Sequence, residues 1–297
     1  MTTEQQLRPV FEGAYTALVT PFNADGSVDY GKLKALVDLQ AAAGIDGVVP
    51  VGTTGESPTL DYEEHSRVIE VTIEAARGRM KVVAGTGANS TREAVALTQR
   101  AKGAGADGTL QVTPYYNKPN QEGLLRHFCA VADLGLPVVL YNIPGRTGRE
   151  IAVETVVKLS RHPSVVALKE AGGTVERVSA ILRRCSLTIL SGDDSLTLPM
   201  MAVGARGVIS VASNVAPEPV ARMVHAAQAG RWEEARQLHL RYYRLFTDLF
   251  LDTNPIPVKA ALAMQGRIEE VYRLPLCAMA EEPKATLRET LRSLGLI

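Results

Sequence analysis

The sequence has no excess of charge of either sign, since 32 lysines and arginines stand against 32 aspartates and glutamates. No basic stripe or like-charge run offsets that balance, which argues against the electrostatic footprint of a nucleic-acid binder. No uninterrupted apolar stretch approaches the ~20 residues that a bilayer-crossing helix requires. Met1 to Val10 is polar, mixed in charge and without the apolar core of a secretory signal. It reads as a frayed lead-in, and the expected compartment is the cytoplasm. Cysteine is scarce: Cys129, Cys185 and Cys277 are odd in number, far apart and free of any CxxC spacing. That argues against both a disulfide framework and a zinc site, and leaves core-like free thiols as the expectation. No GxGxxG follows the first apolar run, which disfavours a dinucleotide-binding fold, and no Gly/Ser-rich linker divides the chain.

What is there is a regular alternation of short apolar runs with stretches of helical period, the pattern of βα units on a parallel sheet. Eight strands are predicted: Ala14 to Val19, Gly47 to Val51, Lys81 to Gly85, Gly108 to Thr113, Pro137 to Asn142, Val165 to Lys169, Thr188 to Ser191 and Gly207 to Ser210. Between them, Tyr30 to Ala43 carries an apolar face of Leu33, Leu36, Val37 and Leu39 or Gln40, and Tyr62 to Ala76 one of Val68, Ile69, Thr72 and Ile73. Three helix-to-strand joints repeat: Ala43-Gly44-Ile45-Asp46-Gly47, Ala104-Gly105-Ala106-Asp107-Gly108 and Val203-Gly204-Ala205-Arg206-Gly207. In each, the first glycine suits a left-handed helix end and the second a strand start with close backbone packing. With 46% hydrophobic residues in 297, the chain can bury a large core. Eight units point to a closed (β/α)8 TIM barrel over residues 11–216. From 217 to 297 the pattern is helical only, over Pro219 to Ala229, Trp232 to Leu251, Pro257 to Ala263 and Pro283 to Leu294. This predicts an all-helical extension packed on the barrel.

Barrel enzymes work at the carboxyl ends of their strands. The run Ser164-Val165-Val166-Ala167-Leu168 ends in Lys169. An ammonium there is costly to desolvate, and burial favours the neutral amine, a nucleophile for the keto carbon of a 2-oxo acid. The competing structural reading is that Lys169 reaches solvent or pairs with Glu170. Gly52-Thr53-Thr54-Gly55-Glu56-Ser57 offers hydroxyls and backbone N–H groups to a small carboxylate, or is an ordinary tight turn. Tyr141, on its strand, can shuttle protons, and Arg146, in the loop beyond, can grip a carboxylate. Pro114-Tyr115-Tyr116-Asn117 places a tyrosine pair after another strand, where packing is the ordinary role.

A lysine, a tyrosine, a threonine pair and an arginine at strand ends form a combination more specific than any member. With the stretches GTTGES, PYYN, YNIPGRTG, ALKEA, SGDD, GVIS and NPIPVK, the chain from about Phe11 to Ile297 resembles the dihydrodipicolinate synthase and N-acetylneuraminate lyase superfamily of class I aldolases. The arginine of YNIPGRTG and the first threonine of GTTGE match the synthase branch. The resemblance implies that Lys169 forms a Schiff base with pyruvate while Thr53 and Thr54 bind its carboxylate and relay protons. It makes Tyr141 the acid/base and gives Arg146 the carboxylate of L-aspartate 4-semialdehyde. Ile209 and Gly192 line the pocket. The resemblance also implies that Tyr116 reaches into a neighbouring subunit's site, so the family's homotetramer, a dimer of dimers, is expected, with no metal or organic cofactor.

The resemblance further implies L-lysine as a feedback inhibitor, with Ser57, His65, Asn89, Glu93 and Tyr115 at the matching positions. Tyr62 departs from the histidine of some inhibited members, and His65 can also be read as a solvent-facing helix residue. The nearest rival is another pyruvate-dependent aldolase, lyase or dehydratase acting on a sugar acid or hydroxy-oxo acid. A non-catalytic 2-oxo acid sensor would lack a relay residue, and none is lacking. A phosphate-binding barrel would carry a glycine-rich anion nest after its last strands, where Ser191-Gly192-Asp193-Asp194 is acidic instead.

Overall fold

The computed structural model describes residues 11–297, so the lead-in expected at 1–10 lies outside the described residues. In chain order the elements are β1 (Gly13–Ala17), α1 (Tyr30–Ala42), β2 (Gly47–Val49), α2 (Tyr62–Ala76), β3 (Lys81–Gly85), α3 (Thr91–Ala104), β4 (Gly108–Val112), α4 (Gln121–Ala132), β5 (Val138–Asn142), α5 (Pro144–Thr147) and α6 (Val153–Leu159). They continue with β6 (Val165–Glu170), α7 (Glu176–Leu182), β7 (Thr188–Ser191), α8 (Thr197–Ala202), β8 (Gly207–Ser210), α9 (Pro217–Gln228), α10 (Trp232–Asp248), α11 (Ile256–Met264) and α12 (Glu281–Ser293). The eight strands are hydrogen-bonded in sequence order and close into a barrel. No helix among the described residues is long and apolar enough to cross a membrane.

Two compact units share the chain. One runs from Val83 to Val208 and takes in residues 11–12; the other joins Gly13–Val82 to Ile209–Ile297. The helices after β8 therefore cluster with β1 to α2.

In the Val83–Val208 unit, β5 and β6 are buried along their whole length and open with Val, Leu and Ala, as parallel strands covered on both faces require, before ending in Tyr141-Asn142 and Lys169-Glu170. β5 begins at Val138 rather than at Pro137, a residue with no N–H to donate to a ladder. β6 continues past Lys169 to Glu170, which places the lysine inside the strand rather than at its end. Asn120 caps α4 by accepting from Gly123 N at 2.8 Å. The second glycine of one repeated joint, Gly108, is needed for close approach: a Cβ there would lie 2.9 Å from the Pro137 carbonyl oxygen.

In the other unit, α2 opens with a capping box. Asp61 accepts from Glu63 N and Glu64 N, and Glu64 accepts from Asp61 N at 3.2 Å. Gln40, not Leu39, completes the inner face of α1, because it takes Thr16 Oγ1 at 2.6 Å and donates to the Ser213 carbonyl at 3.1 Å. On α2, His65 and Val71 are buried while Ile73 is half-exposed. α9 begins at Pro217, two residues earlier than expected, because proline is accommodated at a first helical position. α12 opens at Glu281, with Pro283 inside its first turn.

Candidate active site

The candidate residues of the Val83–Val208 unit gather at the end of the β5–β6 ladder, where Tyr141 is the register partner of Lys169 and Asn142 that of Glu170. Alternation along a strand sends Tyr141 and Lys169 to one face and Asn142 and Glu170 to the other. Lys169 Nζ stands 4.2 Å from the centroid of the Tyr141 ring, and both residues are 5% exposed. Among the described residues no carboxylate forms an ion pair with Lys169. Burial lowers its pKa to about 8; Asp194 pushes the other way, Arg146 lowers it further, and Asp193 raises it. A free-amine fraction is thus present near neutral pH. Glu170 does not neutralise the lysine, since its carboxylate is turned away and engaged by Asn142 and Arg177.

Gly192 belongs here for a steric reason. A Cβ on it would fall 3.0 Å from Lys169 Cε and 2.8 Å from the Ala171 Cβ, so glycine keeps the approach to the amine open. Burial raises the pKa of Asp193, with a Ser195 hydroxyl contact at 3.4 Å and the charge of Lys169 opposing. Arg146 sits on the four-residue α5, exposed, and close enough to Lys169 to shift its titration.

Tyr116 departs from this group. It is 91% exposed and holds φ at 71°, a left-handed backbone that a tyrosine rarely adopts. The loop bearing it is tied back by Asn117, which donates to the Asn89 carbonyl at 2.8 Å. Asn89, Glu93 and Tyr115 lie in this same unit. Burial raises the pKa of Tyr115, and the charge of Glu93 adds to the shift.

The second unit holds the remaining predicted residues. After β2 the chain turns sharply: Val51 has φ 51° and Glu56 φ 53°, and Gly55 N donates to the Gly52 carbonyl at 3.1 Å. A Cβ on Gly55 would lie 2.9 Å from Val51 N. Thr53 is half-buried and Thr54 buried, with Thr54 Oγ1 accepting from Asn254 Nδ2 at 3.0 Å. Next in sequence after Gly55, Glu56 forms a fully buried ion pair with Lys259 of α11. Lys259 also stands 4.2 Å from the Phe22 ring centroid. Ile209 is buried on β8. Ser57 is half-buried, and His65 is buried on α2, which corrects its reading as a solvent-facing residue.

The two buried lysines differ in a way that decides their chemistry. Burial lowers both pKa values, but Lys259 is held by a carboxylate that favours its charged form. Among the described residues Lys169 has no carboxylate in an ion pair, only the through-space charges of Asp194 and Asp193, and it has an aromatic hydroxyl residue beside it, so it is the amine suited to attack a carbonyl.

The sequence matches the dihydrodipicolinate synthetase family model over residues 10–294. It is 52% identical over 293 residues, 97% of this chain and all of the relative, to 4-hydroxy-tetrahydrodipicolinate synthase of Persephonella marina. The fold is similar, at a TM-score of 0.95 and 44% identity over 97% of this chain and all of the other, to a dihydrodipicolinate synthase of Acinetobacter baumannii complexed with pyruvate. It is also similar to the enzyme of Cyanidioschyzon merolae with lysine bound, at a TM-score of 0.94 and 44% identity over 97% of this chain and 99% of that one.

Proposed function

The chain belongs to the dihydrodipicolinate synthetase family, and from that premise we propose that Lys169 is its Schiff-base nucleophile toward pyruvate. The activity is that of 4-hydroxy-tetrahydrodipicolinate synthase, a lyase, the name borne by relatives about half identical over nearly the whole chain. The observation that carries the assignment of the nucleophile is a buried amine, 4.2 Å from a tyrosine ring and with no carboxylate ion pair among the described residues.

The neutral amine of Lys169 attacks the keto carbon of pyruvate, and loss of water from the carbinolamine leaves an imine. The imine withdraws electrons from the methyl carbon, which gives up a proton and becomes an enamine. That carbon attacks the aldehyde of L-aspartate 4-semialdehyde. The substrate's own amine then displaces the lysine at the former keto carbon, closing the ring and freeing the enzyme. Tyr141 is the acid/base for these transfers, with Thr53 in the relay. Thr54, presented by the rigid turn after β2, holds the carboxylate of pyruvate, and Asn254 steadies its hydroxyl. Ile209 and Gly192 bound the pocket, and Arg146 holds the carboxylate of the semialdehyde. Tyr116 enters the relay of a second copy's site, a role that suits a tyrosine 91% exposed on its own protomer. A homotetramer in the cytoplasm fits this reading. L-lysine as a feedback inhibitor would meet Asn89, Glu93 and Tyr115, together with Ser57 and His65.

The test is turnover with pyruvate and L-aspartate 4-semialdehyde, read as formation of the cyclic product. Product that depends on both substrates supports the reading. A preference for a sugar acid or hydroxy-oxo acid over the semialdehyde would overturn the acceptor.

A further inference from the structure

Glu170 is a carboxylate with no solvent exposure, one residue beyond the nucleophile. Such a group is tolerated only when every lone pair is engaged and its charge is matched. Oε1 accepts from Asn142 Nδ2 and from Gly172 N, each at 2.8 Å, and Oε2 accepts from Arg177 Nε at 2.8 Å. Arg177, itself buried at the start of α7, also pairs with Glu150 and donates to the Ile151 carbonyl. Asn142 completes the circuit, its Oδ1 accepting from Ile151 N at 3.0 Å. Gly172 leaves room for the carboxylate, because a Cβ there would lie 2.6 Å from Glu170 Oε1 and would push it off its partners. The network therefore ties four pieces of chain: the end of β5, the end of β6, α7, and the segment 150–151 that follows α5 and its Arg146.

The register gives this network its bearing on the chemistry. Asn142 faces Glu170 one step along the ladder from the point where Tyr141 faces Lys169. A side-chain bond between the outer pair fixes the separation and slide of the two strand ends, and so fixes the inner pair. A slip of one residue would send Lys169 to the other face of the sheet.

We propose that Asn142, Glu170 and Arg177 are positioning residues that hold Lys169 against Tyr141 for imine formation, rather than a charge cluster that only stabilises the barrel wall. The proposal rests on Lys169 being the Schiff-base nucleophile. Misplacing reacting groups by about 1 Å costs about a hundredfold in rate. Loosening the lock should therefore slow imine formation by about ten- to a hundredfold in protein that is still folded.

The experiment follows imine formation at saturating pyruvate by quenching with borohydride at timed intervals and measuring intact mass. It compares wild type with Asn142→Leu, Glu170→Gln and Arg177→Met, alongside the pyruvate KM and the denaturant midpoint of each. Positioning predicts that nearly all protomers are trapped at long times and that pyruvate KM changes little. The rate constant per trappable site then falls by about ten- to a hundredfold, and Arg177→Lys recovers part of it. If the trappable fraction or the midpoint falls while the rate per trappable site stays at the wild-type value, the network is only structural and the inference is overturned. Glu170→Gln and Asn142→Leu decide the matter should Arg177→Met not fold. Failure of the wild type to trap pyruvate would instead remove the Schiff-base reading beneath it.

Discussion

Glu56 and Lys259 meet as an ion pair with neither side chain exposed, and Glu56 directly follows Gly55 of the turn that presents Thr53 and Thr54. Glu56 holds a left-handed backbone at φ 53°, and its second oxygen accepts from Arg273 N at 3.4 Å. The pair anchors that turn to α11. Lys259→Met leaves a buried carboxylate with its main partner gone, so a loss of about 3–5 kcal/mol in unfolding free energy is expected. Denaturant titration checks this, and the double variant Glu56→Gln/Lys259→Met should regain part of the loss. Equal midpoints for Lys259→Met and wild type would show that the pair does not anchor the turn.

The rate of imine formation should rise with pH around a midpoint of about 8, because only the neutral amine of Lys169 attacks. Asp194→Asn should move the midpoint down and Arg146→Gln should move it up, since Asp194 favours the ammonium and Arg146 opposes it. Trapping rates across this range check both signs, and shifts in the same direction would contradict the electrostatic account.

The same depression costs stability. Unfolded Lys169 titrates at its ordinary 10.5, so the folded state is penalised fully below about 8 and relieved as pH climbs toward 10.5. Lys169→Met should therefore be more stable than wild type at neutral pH, by up to about 3 kcal/mol on 1.36 kcal/mol per pKa unit. An unfolding midpoint below that of wild type would contradict it.

Two histidines should shape stability in opposite senses. His127 is buried, with Nδ1 2.9 Å from Thr91 Oγ1, and burial lowers its pKa from 6.5 to about 4. Unfolded chains take up the proton first, so stability falls as pH drops through that interval, and His127→Gln should flatten the loss. His225 contacts Asp46 at 2.8 Å, and that bond raises its pKa. Its contribution is complete below 6.5 and disappears as pH rises through the raised value. Melting temperatures of wild type beside His127→Gln across the first window, and beside His225→Gln across the second, check the signs.

Much of the fold was legible because an eight-fold alternation of apolar runs and helical period leaves few other architectures, and the repeated glycine joints mark where helices end. Gly44, Gly105 and Gly204 do hold positive φ. Lys169 and Tyr141 could be assembled from their places near strand ends, where barrel chemistry is sited, whereas Gly192 entered only through the resemblance. The supporting residues were not legible. Asn142, Glu170, Arg177, Glu56 and Lys259 act through long-range partners, as in the 203-residue separation of Lys259 from Glu56. The sequence shows a carboxylate beside Lys169 but not that β6 continues and turns it to the opposite face. Asn254 and Lys259 lie in the stretch NPIPVK, where nothing local indicates their partners.

If Tyr116 serves a second copy's site, Tyr116→Phe should reduce turnover by about 10²–10⁴-fold, the range of a general acid–base contribution. Mixing subunits of Tyr116→Phe with subunits of Lys169→Ala should regain activity, because some hybrid sites then hold both intact groups. A refolded mixture no more active than its two components would contradict the shared site.

Every step proposed for the reaction passes through a covalent bond between pyruvate and Lys169. Intact mass after pyruvate and borohydride, in wild type and in Lys169→Ala, tests it most directly. Wild type should gain the mass of one reduced pyruvate adduct per chain, and Lys169→Ala none. An unmodified wild type, or an adduct that persists in Lys169→Ala, would contradict it.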